Sequence, residues 1–94
     1  MDSPENRVFR SNDAEQLLAN PLLRDAFKKV DQYIDQVALS CDPDDKNRAQ
    51  RVILSKQLLA SIIRQIERVI EDGEVAKVEI QELKKRSMLR VFQR

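Results

Sequence analysis

The residues with most chemistry to offer sit at two places. One is "SCDPDD", where Cys41, the only cysteine, is followed by Asp42, Asp44 and Asp45. The other is the end of the chain, "KKRSMLRVFQR". A thiol can act as a nucleophile or a metal ligand once ionised, but three following carboxylates oppose thiolate formation. Cys41 therefore reads as an ordinary position between helices, and a single cysteine allows neither an internal disulfide nor a cysteine-based metal cluster. The chain has no histidine, which removes the commonest general base and the commonest metal ligand together. With one glycine there is no glycine-rich loop to cradle a phosphate. The carboxylates are scattered among basic residues as solvated helix faces. No catalytic residue, cofactor site or metal site is expected, and the chain reads as a non-enzyme.

The basic end offers binding. Five of the last eleven residues are basic and none is acidic. As a phosphate grip, Lys84, Lys85, Arg86, Arg90 and Arg94 would neutralise nucleic-acid charge without reading sequence. Against that stand a formal net charge of only +1, which gives weak long-range attraction, and a single aromatic, Phe92, for base stacking. The breaks between helices carry prolines and acidic residues, not the tight turn of a helix-turn-helix. As a protein dock, Met88, Leu89, Val91 and Phe92 would be the contact, with Lys84, Lys85, Arg86 and Arg90 around it. A frayed, solvated terminus is the third reading. Protein docking is preferred, because four sizeable apolar side chains in five positions exceed what a phosphate-tracking tail needs.

A chain of 94 residues makes one small domain, here with 41% hydrophobic, 35% charged and 4% aromatic residues. That balance favours long exposed helices over a sheet. The expected fold is all-α: a long antiparallel helical hairpin, with a short helix before it and a further helix after it. Residues 1–11 read as a flexible arm and 87–94 as a basic, apolar tail. The short helix lies in "SNDAEQLLANP", with Asn12 as its cap and Glu15 returning the bond. Asn20 caps the next helix with Pro21 at its first position, and Leu23, Phe27, Val30, Ile34 and Val37 form its stripe. Asp42 is read as the cap of the long helix, with Pro43 at its first position and Asp44 and Asp45 on the positive end of the dipole. Gly73 is read as its C-terminal cap. Leu59, Ile66, Val52, Ile62 and Val69 form the main stripe, and Ile53, Ile63 and Ile70 broaden it. The further helix runs from about Glu74 to about Arg86.

Ile53, Leu59, Ile63, Ile66 and Ile70 thus make a face broader than a two-helix pair covers, and an uncovered apolar stripe marks an interface. Charge is asymmetric as well: residues 1–45 hold 10 acidic and 5 basic side chains, residues 46–94 hold 12 basic and 6 acidic. The N-terminus has no apolar core of a signal peptide, and "LLASII" is far too short to span a bilayer. A soluble protein of the cytoplasm, or of an assembled particle, is expected, with no membrane partner.

The pattern "DAEQLLANPLLRDAFKKVDQYI … RAQRVILSKQLLASIIRQIERVIEDGEVAK", over residues 13–77, resembles small helical proteins of tailed bacteriophages. That resemblance implies a protein acting by contact in virion assembly, in host cytoplasm or virion, with a protein partner or itself as a homo-oligomer. The alternatives are a small oligomeric nucleic-acid-binding packaging accessory, similar to a small terminase subunit, and a small inhibitor of a host enzyme.

Overall fold

The computed structural model describes residues 3–92, with the side chains of 91 and 92 excepted. It contains three helices and, among the described residues, no strand: α1 (Pro4–Ala19), α2 (Pro21–Leu39) and α3 (Lys46–Phe92). The all-α expectation holds. The chain packs as two compact units: Met1–Gln16 with Ile66–Arg94, and Leu17–Gln65.

Local capping explains where each helix starts. The Asn20 backbone is extended (φ −66°, ψ 119°), and its side-chain oxygen accepts from the N–H groups of Leu22 (2.9 Å) and Leu23 (3.3 Å). Two otherwise unpaired donors of α2 are thereby satisfied, as expected. α1 starts earlier than Asn12. Ser3 accepts at its hydroxyl from the N–H of Asn6 (3.2 Å) and at its carbonyl from Arg7 (3.0 Å), with Pro4 following as the first helical residue. Residues 4–11 are helix, not an arm. At α3 the cap is Asp45 and not Asp42: Asp45 Oδ1 accepts from the N–H of Arg48 (3.1 Å). Asp42 instead holds the turn before it, accepting at Oδ1 from the N–H of Asp44 (2.9 Å) and at its carbonyl from Asp45 (3.0 Å). Pro43 lies in that turn, outside the helix.

The second unit contains the hairpin. α2 and the first part of α3 run antiparallel, so Ile34 and Val37 lie level with Val52, and Phe27 with Leu59 and Ile63. Ile34 is the buried residue of α2. Lys56 reaches from α3 to Asp31 (2.8 Å) and Asp35 (2.6 Å), which stand one turn apart on α2.

In the first unit, Gly73 does not end a helix. α3 continues through it to Phe92, and no glycine has a positive φ. The expected further helix is present as a continuation of α3. Gly73 is buried and faces α1. A Cβ there would overlap the Cβ and Oγ of Ser11, and would sit 3.4 Å from the carbonyl oxygen of Arg7. Ser11, Ala14, Gly73 and Ala76 are the buried residues of this contact. All four are small, which is how two helix backbones come close together.

Two outcomes test this packing. Gly73→Ala would gain about 1 kcal/mol from helix propensity at an open site. Here it should instead lower stability by roughly 1–3 kcal/mol, the ordinary range for overpacking, and Ser11→Gly in the same chain should restore most of the loss. In the second unit, Ile34→Ala should cost about 2–5 kcal/mol. Both are read from thermal and urea melts followed by circular dichroism.

Candidate functional site

Among the described residues, no group of three or more His, Cys, Asp or Glu side chains is placed to hold a metal ion. Cys41 is half-buried beside the α2–α3 turn, with its thiol 3.6 Å from the Asp42 carbonyl. What the fold displays is charge and uncovered apolar surface.

In each unit a cation is held between two carboxylates of a facing helix. In the first unit, Arg7 of α1 makes a two-pronged contact with Asp72: Nε to Oδ2 at 3.1 Å and Nη2 to Oδ1 at 2.8 Å. Its Nη1 donates to Glu79 Oε2 at 2.8 Å. The planar guanidinium thus spans two turns of α3, and only 18% of the Arg7 side chain is exposed. The hydrogen bond from Arg7 holds the Asp72 carboxyl below its ordinary value of 3.8, with Arg10 adding a smaller attraction and partial burial opposing. The bonds to Asp72 and then Glu79 raise Arg7 in turn. In the second unit, the hydrogen bonds from Lys56 to Asp31 and Asp35 push the ammonium above its ordinary 10.5.

The sequence reading placed Arg7 in a loose arm and missed this clamp. The signal was available: Ser3-Pro4 repeats the cap-then-proline pattern of Asn20-Pro21.

The predicted docking residues fall at the far end of α3. Lys84, Lys85, Arg86, Met88, Leu89 and Arg90 are helical and exposed. Val91 and Phe92 are the last helical residues, and their side chains lie outside the described set. The four basic residues of this stretch make no ion pair with any described residue. Basic and apolar side chains share each side of the helix here, since Lys84 and Met88, and Lys85 and Leu89, are neighbours one turn apart.

The expected helix-interface residues separate. Leu59 and Ile63 lie half-buried in a groove with Phe27 on α2. Ile66 and Ile70 are half-buried in the first unit, where the Ile70 carbonyl accepts from the Ser11 hydroxyl (3.4 Å). Ile53 is more than half exposed. Ile62, a residue of the expected main stripe, is more than half exposed, and so are Leu54 and Leu58 at four-residue steps before it, which the stripe did not include. On α2, Leu22 and Tyr33 are exposed more strongly still. A groove of about 490 Å³ runs between Tyr33, Ile34 and Val37 on α2 and Arg48, Arg51 and Val52 on α3. No helix of the described chain is long and apolar enough to cross a membrane.

Comparison with family models, with curated proteins and with solved structures finds no match.

The Asp72 contact predicts an acid dependence of fixed sign. A carboxyl depressed in the folded state stabilises it above its unfolded value, and that contribution disappears as pH falls through the folded value. The native protein should therefore melt higher than Asp72→Asn at neutral pH. The gap should stay full down to about pH 4, near the ordinary 3.8, and close below it. A gap that is constant through the acid range would show that Asp72 does not titrate against Arg7.

Proposed function

We propose that this chain is a non-enzymatic assembly protein that works by contact, docking uncovered helix faces on a protein partner or on further copies of itself. The observation that carries the reading is the row Leu54, Leu58 and Ile62 on α3, each more than half exposed. Surface apolar residues scattered singly need no explanation, but rows of them mark interaction sites. A two-helix layer supplies no third element to cover such a row. The exposed apolar residues at the end of α3, Met88 and Leu89, extend the same character to the basic turns. The likeness of residues 13–77 to small helical proteins of tailed phages fits a role in virion assembly.

A second reading has one observation in its favour. Lys84, Lys85, Arg86 and Arg90, on the last turns of α3, make no ion pair with a described carboxylate. Cations that are not already paired are available to phosphates, as a packaging accessory binding nucleic acid requires.

Two variants separate the readings. Leu89→Ala combined with Phe92→Ala should weaken assembly or partner capture by roughly 10–100-fold, as loss of a central anchor does, and leave duplex-DNA affinity unchanged. Changing Lys84, Lys85 and Arg86 together to Ala should affect assembly less. If the intact protein shifts duplex DNA at physiological salt, and the triple variant abolishes the shift with a shallower salt dependence, the nucleic-acid reading replaces the docking one.

A further inference from the structure

In the first unit, the face of α3 turned away from α1 carries a second apolar row. Val75, Val78 and Leu89 are each more than half exposed. Together with Glu82 and Lys85 they recur at steps of three, four, three and four residues. That is the seam spacing by which one helix packs along another. At about 100° per residue, this row points roughly opposite to Gly73, Ala76 and Ile80, which are buried or half-buried in the unit.

We propose that this seam pairs with the same seam of a second copy, antiparallel and about a twofold axis lying between Glu82 and Lys85. The inference rests on the contact-protein reading above and names one of its partners. Charge selects the occupant and the direction. With the axis there, Glu82 of each copy faces Lys85 of the other, and Val78 faces Leu89. Two ion pairs and two apolar pairs form from one chain's own residues, as an isologous interface requires. A parallel pairing in register would set Glu82 against Glu82 and Lys85 against Lys85, which like charges oppose. Glu82 and Lys85 are exposed and make no ion pair with any described residue, so neither must abandon a partner to join the interface.

The test exchanges charges between molecules. Native protein should show a concentration-dependent dimer by sedimentation. Glu82→Lys alone presents two lysines to two lysines, and Lys85→Glu alone presents two glutamates to two glutamates. Each should raise the dimer dissociation constant by about tenfold or more, while circular dichroism shows an unchanged helical monomer. Mixed one to one, with one variant isotope-labelled, the two should pair with each other at near-native affinity, and native mass spectrometry should find the mixed dimer. An unchanged dimer in both single variants, or a mixture that yields no mixed dimer, overturns the pairing. A native protein that stays monomeric at hundreds of micromolar also overturns it. That last result leaves docking on a different protein standing, because that reading is tested separately by partner capture and by duplex-DNA binding.

Discussion

No atom can occupy the position of a Cβ at residue 73 while Ser11 stays where it is. Within the first unit, the rest follows from that constraint. Glycine in a helix interior is unfavourable by about 1 kcal/mol relative to alanine, and α3 carries its only glycine there. The helices approach closely because Ser11, Ala14, Gly73 and Ala76 are all small, so this contact buries little apolar volume. Short-range fit and the Arg7 clamp therefore carry what large side chains carry in a thicker core. Arg7 can reach both Asp72 and Glu79 only because the helix it stands on lies that close.

The two units use one electrostatic device with different parts. In each, a cation sits between two carboxylates on the facing helix. Asp31 and Asp35 are one turn apart, and one ammonium with freely turning donors bridges them. Asp72 and Glu79 are two turns apart, a span that suits the wider, planar fork of a guanidinium. Lysine at position 7 would offer a single point of charge and could not satisfy both acids in the same way.

Much of this was legible in the residues. The all-α class, the Asn20 cap and the α2 stripe at Leu23, Phe27, Ile34 and Val37 follow from spacing and capping chemistry, whereas Val30 of that stripe is exposed. Three features did not follow, each for a physical reason. Gly73 was read as a stop because glycine most often serves helix ends; a packing glycine looks the same until the residue opposite it is known. Residues 4–11 looked loose because α1 meets α3 through Arg7, Ser11 and Ala14, and such an interface leaves no row of large apolar residues to recognise. Asp42, Asp44 and Asp45 all have the chemistry of a cap, and only the turn built on Asp42 decides that Asp45 takes the role. At the candidate site, the charges at the end of α3 were visible as charges. Which part of a long stripe stays uncovered was not, because Ile62 and Ile66 look alike in sequence and differ in exposure only through the helices packed around them.

Tyr33 gives the second unit an optical property of its own. The chain has one tyrosine and no tryptophan, so its near-ultraviolet emission comes almost entirely from a single ring. That ring stands at the wall of the groove between α2 and α3, beside Arg48 and Arg51, and is largely open to water. Whatever settles there changes the polarity and mobility around the one bright fluorophore, and the rest of the molecule contributes little background. The protein therefore carries a built-in, label-free reporter of occupancy at that groove.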